Sequence, residues 1–284
     1  MKKTLLSCAL AVALLPVRMN AQEKIDKSKR ALTESEGVKS SSSTTSSSSS
    51  SSSSDDDTSF GESLAGEVIF VLFQYTLGAA WLGAVGSYEN EDHLSNDLTR
   101  YPYHDPEAGN YYNPEFGEES QYVFRVDVKD KFLYNSNDLL GNHVEAKIRP
   151  FQYFYLKADY YQIYEFQKLA GTSDNLSLFY FNFAYDRLRF NRFNLGWTMG
   201  ASYVGSGVNK AGFSYGLNAE YFLKKNISFL AGAKWSHINA QPVHAYEFES
   251  RWHRKNLYVT AGFEHLKIAS PNYNFITLGA GIYF

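Results

Sequence analysis

Three histidines, His237, His244 and His265, fall near the ends of extended runs, with Glu264 and Asp174 at a comparable level. An imidazole beside a carboxylate activates water for hydrolysis, the ring taking the proton and the acid orienting it. No Gly-x-Ser-x-Gly turn, His-Glu-x-x-His helix or phosphate-cradling glycine loop accompanies them. Histidines at strand ends usually serve as interfacial side chains, so the chain is read as a non-enzyme. No catalytic, cofactor-binding or metal-binding residue is assigned, and no cofactor is expected.

A second set of reactive groups is larger and more regular. Arg125, Asp127, Lys129, Glu145, Lys147, Arg149, Lys157, Asp159, Glu220, Lys234, Glu247, Glu249, Arg251 and Glu264 occupy one face of period-two runs, seven charges of each sign. The opposite face is almost wholly apolar and aromatic, as in Phe179, Phe181, Phe183 and Tyr185. Paired charges of balanced sign suit an internal ion network. A conducting pore would favour one sign or a constriction ring.

Ten such runs follow one another at roughly 121–134, 142–149, 152–166, 175–186, 190–204, 211–223, 227–238, 244–253, 257–267 and 274–284. Most reach the 9 to 11 residues that a tilted membrane-crossing strand needs. A soluble sandwich would share the alternation, burying its apolar faces between two sheets. The number and length of the runs and the load of 22 Tyr and 21 Phe favour the inverted arrangement, apolar face to lipid and charges to the lumen. The expected fold is all-β: an antiparallel up-and-down transmembrane barrel of about ten strands over 121–284, with eight or twelve as alternatives. Tight connections at 149–151, 224–226 and 254–256 alternate with longer ones at 135–141, 167–174 and 268–273. They suggest short periplasmic turns, longer outer loops and both barrel termini in the periplasm.

Upstream, Lys2 and Lys3, the apolar run from Leu5 to Val17 and the Ala21-Gln22 junction form an export signal over 1–21. Removing Lys2, Lys3 and Arg18 takes the formal charge from −3 to −6. It also removes Cys8, the lone cysteine, and with it any disulfide or Cys-cluster metal site. That charge gives no case for nucleic acid. Residues 22–63, polar and dominated by serine, are expected to form a disordered linker, a periplasmic tether. Residues 64–120 are expected to form a short apolar helix, associated with the barrel, and an irregular aromatic linker. Between Glu67 and Glu89 no residue is charged, so a pair of extra strands or a spanning helix are the alternatives there.

The spacing of Thr277, Gly279, Ile282 and terminal Phe284 resembles the assembly signal on the last strand of Gram-negative outer-membrane barrels. The Ala-Gln junction is similar to export signals of Bacteroidota. The barrel resemblance implies an outer-membrane location, lipid contact and delivery by the barrel-assembly machinery, and it identifies no subfamily. The expected role is a closed structural barrel serving envelope assembly or a surface partner, with Trp81, Tyr101, Tyr103, Tyr111 and Tyr112 as candidate contacts. A small-solute channel is the alternative, and a hydrolase of the omptin or lipid-hydrolase type a remoter one.

Overall fold

In the computed structural model the described residues are 23–34, 82–104, 107–114, 123–136, 138–167 and 171–284. The export signal, most of the serine-rich stretch and residues 64–81, Trp81 among them, lie outside them.

Ten strands, β3 (Arg125–Ser136), β4 (Leu139–Arg149), β5 (Phe154–Gln167), β6 (Thr172–Phe190), β7 (Phe193–Val204), β8 (Lys210–Lys224), β9 (Ile227–Ile238), β10 (Gln241–Arg254), β11 (Leu257–Ile268) and β12 (Asn272–Tyr283), pair antiparallel in chain order. β12 returns to β3 and closes the ring. Closure matters physically, because a strand edge facing lipid would leave its N–H and C=O groups without partners. The alternation of the sequence sets the register: odd positions of β3, from Arg125 to Leu133, are buried inside, and Phe124 and Phe132 stand exposed outside.

The connections differ from expectation. Gaps after odd-numbered strands shrink to 137–138, 168–171, 205–209, 239–240 and 269–271, because β4, β6, β8, β10 and β12 begin earlier than their alternation shows. Asn239 and Ala240 make a two-residue turn with φ of 51° and 62°, the left-handed geometry that matches strand twist. Loop length therefore does not distinguish the two ends.

Two further pieces close the mouths. α1 (Lys24–Thr33) lies at the end carrying the β9–β10 and β11–β12 turns, where Ile25 and Leu32 join Leu133, Ile163, Leu178, Ile238, Leu266, Ile268 and Phe275 in an apolar cluster. Its first amides, of Lys24 and Ile25, donate to the Glu165 carboxylate at 3.1 and 2.8 Å, satisfying helix-end donors that have no internal partner. Ser28 Oγ contacts Tyr273 Oη at 2.8 Å, and Asn239 Nδ2 donates to Leu32 O at 2.9 Å. At the other mouth, beside the barrel's own termini, residues 86–104 and 107–114 fold over the opening around a 3-10 turn (Asp92–Ser95) and a ribbon of β1 (Asp97–Leu98) and β2 (Tyr111–Tyr112).

Residues 24–33, inside the stretch 22–63 expected to be a disordered linker, are helical, and residues 86–104 and 107–114, inside the irregular aromatic linker expected within 64–120, pack at the barrel mouth. The first is a capping helix and the second a plug. α1 and the barrel termini lie at opposite mouths of the barrel. Among the described residues no helix is long and apolar enough to cross a membrane.

The closing seam ends on the last residue: Phe284 N donates to Val126 O at 2.8 Å and Val126 N to Phe284 O at 3.2 Å. Deleting Phe284 is expected to lower the folded, heat-modifiable fraction in cells. Unchanged assembly of the shortened chain would count against a role in insertion.

Candidate functional site: the charge-filled lumen

Inward positions of β3, β4, β5, β8, β9, β10 and β11 carry all fourteen charges named from the alternation, and every one is buried. They form a single ladder. Near its apolar end, Lys131 Nζ meets Glu249 at 2.5 Å, Glu247 at 3.0 Å and Glu264. His143 bridges Glu264 through Nδ1 at 2.9 Å and Asp159 through Nε2 at 3.0 Å, and Lys234 reaches Asp159 at 2.8 Å. In the middle Lys157 pairs with Glu145 at 2.7 Å, Lys129 with Glu249 at 2.7 Å, and Lys147 with Glu145 at 3.5 Å. Towards the plug, Arg251 spans Glu249 and Glu220 at 3.0 and 3.3 Å, and Arg125 grips Asp127 with two nitrogens at 2.7 and 3.0 Å. Tyr155, Tyr161, Tyr258 and Tyr283 are buried among these groups, and Arg149 stacks on Tyr155 with its guanidinium carbon 4.0 Å from the ring centre.

The plug is tied to the same ladder. Arg125 donates to Thr99 O and Asn110 Oδ1, both at 3.1 Å, and Asn110 Nδ2 donates to Glu220 at 2.9 Å. Tyr111 Oη donates to Asp186 at 2.5 Å, and Asp186 also accepts from Arg149 at 3.0 Å. Arg189 donates to Leu94 O, and Gly109 N to Asn191 O at 2.6 Å. A Cβ on Gly109 would lie 2.6 Å from the Phe222 ring, so close docking of this loop requires glycine. A polar cavity of about 10 Å³, lined by Asn110, Arg125, Glu220 and Arg251 among others, has room for about one water.

Several partners escaped the alternation. Lys131 and His143 continue the inward phase of β3 and β4, so that signal was present in their odd numbers. Asp186 and Arg189 flank a register shift between Asp186 and Leu188, which breaks the phase. The lumen is also not polar along its whole height, because inward Leu133, Ile163, Leu178 and Leu266 make the end beneath α1 apolar.

The imagined hydrolytic constellation does not form. His237, His244 and His265 project outward around Tyr246, with His237–His244 and Tyr246–His265 centroids 6.1 and 6.0 Å apart, and Glu264 points into the lumen. Asp174 hydrogen-bonds Gln167 beside the β5–β6 connection. Tyr111 and Tyr103 are likewise plug core, Tyr103 packing edge-on against Phe222 at 5.7 Å. His143, Glu247 and Glu264 bring potential metal-ligand atoms within 4.8 Å of one another. The Lys131 ammonium already sits among these carboxylates, so the cation that balances them is a side chain of the chain itself.

Among the plug's carboxyl and imidazole groups, two have depressed titration. Hydrogen bonds from Arg187, then from the Ser87 amide, hold the Glu91 carboxyl below its usual range, and burial pushes the His93 imidazole down. His93 stacks on Phe190 at 4.4 Å.

A closed antiparallel ring with an apolar outer wall and an ionic interior defines the class: a transmembrane β-barrel of the outer-membrane type. No known protein family and no curated protein matches the sequence. Among solved structures the chain is similar to an outer-membrane channel of Pseudomonas putida F1 (9% identity, TM-score 0.35, 61% of this chain and 100% of that chain). It is also similar to Ail of Yersinia pestis (11%, TM-score 0.33, 58% and 100%) and to a de novo designed transmembrane barrel (9%, TM-score 0.31, 58% and 98%). Likenesses this distant carry nothing about activity.

Removing one member of a buried ion network leaves its partners uncompensated, which typically costs about 3–5 kcal/mol. Lys131→Met is expected to destabilise the barrel on that scale in urea unfolding from lipid vesicles, and adding Glu264→Gln to recover part of the loss. Equal stability of Lys131→Met and wild type would contradict the network. For the plug, both depressed groups bind protons more readily when unfolded, so their stabilisation is complete above the unfolded values and fades as pH falls. Amide protection over 87–96 should therefore decline below the ordinary histidine value of 6.5 and again below the ordinary carboxyl value of 4.5, with the strands unchanged.

Proposed function

We propose that this chain is a closed outer-membrane barrel of a Gram-negative, Bacteroidota-like cell, acting as a structural element that holds envelope or surface components without conducting solutes or catalysing a reaction. One observation carries the reading: the lumen is occupied along its height by an apolar cap, a neutralising ion ladder and a plug, all supplied by the chain. Ten strands enclose a space that side chains can fill, and here they do. Moving a hydrated ion through would require breaking several charge pairs together.

Lipid is the partner of the aromatic wall. The barrel-assembly machinery is the partner implied during insertion by Thr277, Gly279, Ile282 and Phe284. With short connections on both ends, the broadest surfaces left for an envelope partner are the rims themselves.

Purified protein in planar bilayers is expected to show no discrete conductance steps. A variant lacking residues 24–33 should stay silent as well, because the ion ladder remains. Reproducible openings of the wild-type chain would overturn the closed-barrel reading in favour of a small-solute channel.

A further inference from the structure

Three neighbouring hairpin turns at the plug mouth carry five exposed cations and no acid: Arg192 at β6–β7, Lys224 and Lys225 at β8–β9, and Arg254 and Lys255 at β10–β11. At the opposite mouth the turns 205–209, 239–240 and 269–271 hold no charged residue, and α1 there mixes both signs. Like charges gathered on one rim repel one another, so the cluster is stabilised by an anion that lies against it. The backbone holds the turns in place. Phe222 N donates to Arg192 O, His253 N to Asn226 O and Tyr283 N to Asn256 O, each at 2.8 Å. Every turn is thereby pinned to the next strand, and the three form one continuous lip.

What lies next to the cations indicates the source of that anion. Outward Phe190, Tyr221, Leu223, Trp252 and Leu257 border the lip, each between 45% and 51% exposed. Arg254 continues the outward phase of Phe248 and Trp252, so this face of β10 passes from apolar to cationic within two residues. At about 3.3 Å per residue that step is roughly 7 Å. The headgroup layer on each side of a bilayer is about as deep, roughly 5–7 Å beyond the hydrocarbon. Lysine and arginine stems can lie along the apolar band while their charged ends reach the phosphates. A nucleic acid or an acidic protein would use the cations alone, whereas a lipid leaflet uses both layers. Between the lip and the plug runs a groove of about 700 Å³ lined by Arg192, Lys225, Phe190 and Tyr103, with Glu107 as its carboxylate.

We propose that this lip binds the phosphates of anionic phospholipid headgroups, and that the contact fixes the depth and tilt of the barrel in the leaflet that meets the plug mouth. This rests on the barrel residing in a membrane.

Full-length protein reconstituted in phosphatidylcholine vesicles, with trace spin-labelled phosphatidylglycerol or phosphatidylcholine, tests both statements separately. Motion-restricted phosphatidylglycerol should exceed motion-restricted phosphatidylcholine by roughly two- to fivefold, the upper figure being what one cation near an anionic headgroup contributes. Combining Arg192→Gln, Lys224→Gln, Lys225→Gln, Arg254→Gln and Lys255→Gln should bring the ratio near one. Lys224→Arg with Lys225→Arg should keep it, which separates lost charge from misfolding. Inorganic phosphate exchanged for chloride at constant ionic strength should leave the ratio unchanged. A wild-type ratio of one, a ratio that the glutamine variant retains, or displacement of the lipid by free phosphate overturns headgroup binding at the lip. Absence of motion-restricted lipid of either kind would instead sink the membrane barrel itself.

Discussion

The interior of this barrel depends on charge neutralisation away from water. An isolated ammonium or carboxylate in a medium of low dielectric constant carries a large desolvation penalty, offset only when a partner of opposite sign sits within hydrogen-bonding distance. Lys131, with no solvent exposure, has three carboxylates around it, and Glu249 has Lys129, Lys131 and Arg251. No member can be exchanged without reorganising the next. The ladder thereby fixes which residues of seven strands face one another, and the backbone pairing of the ring completes what the side chains specify.

Such a ladder ends badly if its terminal charges meet bulk water through an open mouth, since solvent would compete for each pair. Both ends are covered. At one, α1 places Ile25 and Leu32 over inward leucines and isoleucines, and its own free amides are answered by Glu165. At the other, the plug offers Asn110, Tyr111 and backbone carbonyls to Arg125, Glu220 and Asp186. The first seal is apolar and the second polar, which matches the groups each one covers.

The ring itself was legible because its information is local. Alternation every two residues placed ten runs, assigned the outward aromatics and put fourteen charges on one face, and Lys131 was readable by extending that phase two positions. Covers and turns are matters of long range. Ile25 and Leu32 are a sparse apolar pair in a charged stretch, and only a mouth formed by Ile268, Leu266 and Ile238 makes them core. Tyr111 and Asn110 look like loop residues until Asp186 and Glu220, far along the chain, supply their partners. Strand starts such as Leu139 and Gln241 are set by pairing with Glu165 and Ile238, which no local pattern contains.

Order of synthesis sharpens the argument. α1 and the plug precede every barrel strand, yet each is completed by residues spread from β3 to β12, so neither has a full binding surface until the ring exists. Closure of the seam by Val126 and Phe284 is therefore coupled to filling. An unfilled ring would hold uncovered leucines at one mouth and half-paired Arg125, Asp186 and Glu220 at the other. The physical consequence is a barrel whose open form is disfavoured by the same residues that stabilise its closed form.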